Sequence, residues 1–216
     1  MTTRLGKRSN RELERKVKKN DPEAMHELAR RLVQGEGIAE DQKRGFELAK
    51  KSSELGFIPA FTVLGYCYFY GKPIPKDEQR GVELFRYAAE NGHDAAQYNM
   101  GIAYERGSVI ECDYAKSYEW YQKAAEQDFA KAFYKLGVFN ELGYGREINL
   151  IEAAKFYEES AKRGYVKAIH AIGNAYYLGT GVIKSIDKAV AWLTVSADRG
   201  YRPSISLLKR INDKNS

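Results

Sequence analysis

The strongest constraint on this chain is a 36-residue period in its glycines. Gly65, Gly101, Gly137 and Gly173 stand 36 apart, and so do Gly35, Gly71, Gly107, Gly143 and Gly179. Gly56, Gly92, Gly164 and Gly200 form a third series, with Asp128 in the missing place and Asn20 one period upstream. Gly37, Gly145 and Gly181, and the pair Gly45 and Gly81, keep the same period, so eighteen of nineteen glycines are accounted for. A fixed period of this length marks a repeat array, in which each unit stacks on its neighbours to bury an apolar face it cannot bury alone. A unit starting at Pro22 gives five copies without insertion: 22–57, 58–93, 94–129, 130–165 and 166–201. A partial sixth begins at Arg202.

Each copy reads as two helices. In copy three, Ala96, Met100, Ala103 and Tyr104 recur at helical spacing, and Tyr114, Ser117, Tyr118, Tyr121, Ala124 and Ala125 mark one face of a second helix. Pro22, Pro59 and Pro203 stand where a first helix begins, a place that needs no N–H. Asp41, Asp77, Asp113 and Asn149 precede the second helix and are placed to cap it. The Gly56 series then ends that helix in the left-handed region. Gly65 and its equivalents fall mid-helix, where glycine costs about 1 kcal/mol relative to Ala. That cost implies a close approach of the two helices in each copy.

The ends differ from the middle. Residues 1–21 read as a basic tail and a capping helix, with Leu13 and Val17 as its apolar residues. Residues 202–216 read as a last helix, carried by Ile205, Leu207, Leu208 and Ile211, and a polar tail. The array therefore reads as closed at both ends. The net charge of +6 belongs to the first twenty residues, which hold eight Lys/Arg and two Glu; the remainder has 27 of each sign. Arg4, Lys7, Arg8, Arg11, Arg15, Lys16, Lys18 and Lys19 could touch nucleic acid or an anionic surface. A soluble cap is the simpler reading, because no wider basic track accompanies them, and nucleic acid is not the expected partner. The absence of an apolar leader, of a long apolar run and of a disulfide framework points to the cytoplasm and against a membrane span.

These residues resemble the Sel1-like repeat, a relative of the tetratricopeptide repeat. Copy three carries the pattern in Met100, Gly101, Tyr104, Gly107, Asp113, Lys116, Trp120, Tyr121, Lys123, Ala124 and Ala125. Copy five carries it in Gly173, Tyr176, Gly179, Gly181, Val182, Lys188, Ala189 and Trp192. The resemblance implies an all-α fold, a right-handed α/α superhelix, used as an adaptor or scaffold without enzymatic activity or cofactor. Some secreted relatives carry a cysteine pair in every repeat; Cys67 and Cys112 lie in different copies and make no such pair.

Little in the chain points to catalysis. The three histidines, His26, His93 and His170, show no metal-ligand spacing. The Gly-x-Gly groups follow helices, so they are turns rather than phosphate cradles. A weak hydrolase, by analogy with relatives once labelled β-lactamase-like, is the alternative from another class. The expected site is instead a binding surface. By analogy with tetratricopeptide arrays, the inner wall comes from residues one, four, eight, eleven and twelve places after each unit start. Those places hold Tyr66, Phe69 and Tyr70 in copy two, and Tyr98, Ile102, Glu105 and Arg106 in copy three. They hold Lys131, Tyr134, Val138, Glu141 and Leu142 in copy four, and Lys167, His170, Asn174, Tyr177 and Leu178 in copy five. The expectation is a concave, aromatic-rich surface that takes a protein or peptide partner. The competing expectation is that the same rings serve as additional core.

Overall fold

The computed structural model describes residues 8–215, so Arg4 and Lys7 of the basic tail lie outside the described residues. Within them are twelve α-helices and no strand. The first helices of the copies are α2 (Pro22–Gln34), α4 (Ile58–Tyr70), α6 (Asp94–Arg106), α8 (Ala130–Leu142) and α10 (Val166–Leu178). The second helices are α3 (Gln42–Glu54), α5 (Glu78–Glu90), α7 (Tyr114–Glu126), α9 (Leu150–Lys162) and α11 (Ile186–Asp198). Helix α1 (Asn10–Val17) precedes the array and α12 (Arg202–Asn215) follows it. The chain divides into two compact units, residues 1–103 with 108–111, and residues 104–107 with 112–216.

Local chemistry sets the helix ends. The carboxylates of Asp41, Asp77 and Asp113 and the side-chain oxygen of Asn149 each accept the backbone N–H three residues on, at 2.9–3.0 Å. Ser185 does the same in copy five, at 3.3 Å. After each second helix the chain turns through a residue with φ between 57° and 83°, a glycine in four copies, Asp128 in copy three and Asn20 after α1. The next N–H then reaches back to the last turn, as from Phe57 to the Ser52 carbonyl and from His93 to the Ala88 carbonyl. That paired arrangement satisfies carbonyls the helix leaves open and fixes the entry into the next first helix. A buried serine ties the second helix to the first in three copies. Ser52, Ser160 and Ser196 donate their hydroxyls to the carbonyls of Pro22, Ala130 and Val166, at 2.6–3.3 Å.

The helices of a copy meet at the mid-helix glycine. A Cβ on Gly65 would lie 2.6 Å from the Phe85 ring, one on Gly137 2.5 Å from the Tyr157 ring, and one on Gly173 2.9 Å from Leu193. The facing side chain occupies the space the glycine leaves. Copy one solves the same contact with two small residues, Ala29 and Ala49, both fully buried. This is size complementarity at one position, made either as glycine against a large side chain or as alanine against alanine.

In the first unit the buried residues include Leu13, Ala24, Leu28 and Leu32, then Ala29, Val33, Ala49, Val63, Leu64, Cys67 and Leu84. In the second they include Ala153, Tyr157, Ala168, Ile169 and Ile172, then Ala189, Leu193, Leu207 and Ile211. The capping role expected of α1 rests on Leu13, which is fully buried, with Val17 beside it. Ile205 corrects the reading of α12: it stands half in solvent, and Leu207 and Ile211 carry the packing.

The close contact is directly testable. Gly137→Ala is expected to lower stability by about 1–3 kcal/mol through overpacking, although alanine is the better helix former. In a Tyr157→Ala background the same substitution should be neutral or stabilising. Urea denaturation of the four proteins measures the difference.

Candidate binding face on the first helices

The rings expected on the first-helix face are mostly half-buried. In the first unit, Tyr66 and Tyr70 lie with ring centroids 4.6 Å apart, and Tyr66 packs partly into the core around Leu64 and Cys67. Tyr70 is exposed, and Tyr98 and Ile102 are half-buried. Phe69 corrects the expectation. It is 1% exposed and packs on Phe85 with centroids 5.7 Å apart, so it presents nothing to a partner. The cause is Gly81, whose missing Cβ would lie 2.7 Å from the Phe69 Cβ: the second helix of copy two closes over that position.

In the second unit, Arg106 and Lys131 are exposed, and Tyr134, Val138, His170, Asn174 and Tyr177 are half-buried. Tyr134 packs one side of its ring on Tyr157 and Tyr165, with centroids 5.7 and 5.3 Å away. Burial raises its phenol pKa. Val138 leans on the core around Ile169 and Ile172, and Tyr177 on that around Leu193 and Ile211. His170 Nδ1 is hydrogen-bonded to Ser204 Oγ at 3.0 Å, and its ring meets Tyr201. Tyr66, Tyr134, His170 and Tyr177 therefore each have a packed side and an edge open to solvent.

Glu105 and Glu141 serve the core. Each carboxylate accepts a phenolic hydroxyl from the second helix, Tyr121 for Glu105 and Tyr157, which faces Gly137, for Glu141. Lys135 donates to both oxygens of Glu105 at 2.8 and 2.9 Å. A buried phenol without an acceptor costs a few kcal/mol, which these carboxylates remove. Burial and the Glu141 bond together push the Tyr157 pKa up.

One series of residues on this face lies outside the places expected. The position after each helix-ending turn reads Phe57, His93, Phe129, Tyr165 and Tyr201, aromatic or imidazole in every copy. Three of these rings pack on the residue four places after the unit start, Phe57 on His26, Tyr165 on Tyr134 and Tyr201 on His170. The unbroken aromatic column in the aligned copies is the signal that could have found them.

The same series brings two histidines together across 67 residues. His26 and His93 have ring centroids 6.4 Å apart, edge to face. His93 Nδ1 shares a 2.8 Å hydrogen bond with Thr62 Oγ1, and its Nε2 lies 3.7 Å from Asp94. The arrangement has the residue types of a nucleophile, a base and an acid. Its hydroxyl, however, is closed off, Thr62 being 7% exposed, and Ser204 beside His170 is fully buried. Neither opens onto a substrate. Burial, then the neighbouring His93, pushes the His26 pKa down to about 4. Burial also lowers His93 and His170. Among the described residues no group of three or more His, Cys, Asp or Glu is placed to hold a metal, and no helix is long and apolar enough to cross a membrane. Cys67 is buried, with its thiol pushed up to about 12, and Cys112 is an exposed free thiol.

Repeated helix pairs, each closed by the same caps and turns, define a helical repeat protein. The Sel1 repeat family model matches residues 22–57, 62–93, 94–129, 130–165 and 166–201. The chain belongs to the Sel1 repeat family. Among solved structures it is similar to a Sel1 repeat protein from Oxalobacter formigenes, with 30% identity and a TM-score of 0.79, over 89% of this chain and 78% of that one. It is also similar to c5321, a protective antigen of uropathogenic Escherichia coli, with 26% identity and a TM-score of 0.66, over 96% of this chain and 52% of that one. The immunity protein Pa5087 from Pseudomonas aeruginosa shares the fold, with 22% identity and a TM-score of 0.61 over 85% of this chain and 67% of that one. No curated protein sequence matches the chain.

The histidine pair gives the fold a pH dependence of definite sign. His26 ordinarily titrates near 6.5 and is held near 4 in the folded chain. The unfolded chain therefore binds the extra proton. Stability is full above about pH 6.5 and falls as pH drops toward 4, by about 2 kcal/mol at pH 5 from this residue alone. His93 adds to the loss in the same direction. His26→Phe should flatten this dependence, measured as the shift of the urea midpoint between neutral and mildly acidic buffer.

Proposed function

We propose that the chain is a non-enzymatic interaction scaffold that holds a protein or peptide partner against the first-helix face. Membership of the Sel1 repeat family supports the general reading, since Sel1 repeat proteins commonly mediate protein–protein interaction. The observation that carries the finer reading is the state of the tyrosines. Tyr66, Tyr98, Tyr134 and Tyr177 are neither enclosed nor free. A ring packed on one side loses little further freedom when a partner covers its other edge, so the contact comes at low entropic cost. Tyrosine also offers apolar area and a hydroxyl together, which is why it is enriched among the residues that dominate interface energetics.

The surrounding charges add direction without excess of one sign. Arg106 and Lys131 are exposed near the ends of α6 and α8, while Glu105 is occupied by Tyr121 and Lys135. Ile102 and Val138 add half-buried apolar area, and His170 and Asn174 add polar edges. This composition suits a peptide with mixed apolar and polar side chains better than a nucleic acid, which calls for a basic track.

Capture of interacting proteins from the native host tests the reading, with wild-type chain beside Tyr66→Ala and Tyr134→Ala. Each substitution is expected to weaken a captured partner by on the order of 1–2 kcal/mol, roughly 5- to 30-fold in Kd, with helicity unchanged. Loss of helicity in step with loss of binding would assign these rings to the core instead.

A further inference from the structure

Copies four and five carry several exposed aliphatic residues at the end of the helix pair where its two helices join. Leu142, Ile148, Leu150 and Ile151 of copy four, with Leu178 and Ile183 of copy five, stand between 40% and 91% exposed. The chain itself records what such positions hold when the same local structure forms elsewhere. The equivalents of Leu142, Ile148, Leu150 and Ile151 are Gln34, Glu40, Gln42 and Lys43 in copy one. In copy two they are Tyr70, Lys76, Glu78 and Gln79. The turn and the capped second helix form in those copies without a single exposed aliphatic at these places. Folding of the unit therefore does not account for the four aliphatics in copy four.

The six residues fall in or beside the turns that join the helices of copies four and five. The turn of copy five seats on the start of α9, where a Cβ on Gly181 would come within 1.9 Å of the Leu150 carbonyl oxygen. Leu150 and Thr180 line one crevice, and Ile148 lies against Gly143 in its own turn. Together the six expose the equivalent of roughly three to four whole aliphatic side chains, about 300 Å² of apolar surface. The largest apolar patch on an ordinary monomer has this size and is often functional.

We propose that this surface is a homodimer interface, covered patch on patch by a second copy of the chain. Two observations select that occupant. The first is the charge around the patch. Arg146 and Lys184 face solvent there beside Glu147 and Asp187, two cations and two carboxylates with no net charge. A two-fold axis places a surface against itself, so a rim of one sign would repel its own copy, whereas a mixed neutral rim can pair with it. An acidic or basic partner would instead select a rim of one sign. The second is area. A standard interface takes about 800 Å² from each partner, a little over half of it apolar. The patch supplies most of the apolar centre of a small one, and the polar rim supplies the remainder. The expected dimer is weak and reversible, with a Kd in the micromolar range.

Sedimentation equilibrium of the full chain, from low micromolar to several hundred micromolar, tests this. The wild type is expected to follow a monomer–dimer equilibrium. The double variant Ile148→Lys, Ile151→Gln places at these positions the residues copy two already uses, and is expected to weaken the dimer at least tenfold. Its circular dichroism and melting temperature should match the wild type. Ile183→Asp, in a different turn, should weaken the dimer in the same way. A wild type that stays monomeric at the highest concentration overturns the proposal, as does a dimer that all these variants leave intact. A monomeric wild type that loses a different protein partner through the same variants assigns the surface to that partner and overturns the homodimer.

Discussion

In copies two, four and five the helix pair depends on a contact in which one backbone is bare and the facing side chain is large. Gly65 against Phe85, Gly137 against Tyr157 and Gly173 against Leu193 put atoms where a methyl group could not fit. The rest of the unit follows from that distance. With Tyr157 in the large position, its hydroxyl enters the core and needs an acceptor, and Glu141 supplies one from the first helix of the same copy, as Glu105 does for Tyr121. The serine that bridges the start of one helix and the end of the other holds the pair closed from its opposite end. A carboxylate on the first-helix face is thus part of the core's hydrogen bonding rather than a free group awaiting a partner.

Much of this was legible because it is local or periodic. An Asp or Asn before a helix caps it through its own backbone three residues on, and a glycine after a helix occupies the left-handed region whatever the surroundings. Both depend on a handful of consecutive residues. Asp128 and Asn20 take the same backbone conformation as the glycines they replace, with φ of 63° and 57°. The mid-helix glycines carried a second message, since a costly residue repeated at one place implies a contact that offsets it.

The candidate face was legible only in part. A place counted along a helix depends on that helix alone, while burial depends on what the neighbouring helix does. Phe69 occupies a surface place by counting, yet Gly81 lets the next helix close over it. In copies three and four the same place holds a glutamate, which reaches the tyrosine hydroxyl instead. The aromatic series beginning with Phe57 and His93 stands at the end of each copy, and its role emerges only when that end folds back on the first helix some thirty residues earlier. The pairing of His26 with His93 has the same origin: one ring comes from a first helix and the other from the end of a later copy, 67 residues on.

The amino-acid sequence by itself determined the number of copies, their boundaries, the two helices in each and the residues that start and stop them. Those features follow from backbone conformation and from a period that the glycines print directly. Tertiary structure decided which side of each ring is covered, which carboxylate is already engaged and which aliphatic residues are left in water. Such outcomes depend on how closely helices distant in the chain approach one another, a quantity set by the shapes of both surfaces and by neither sequence segment alone.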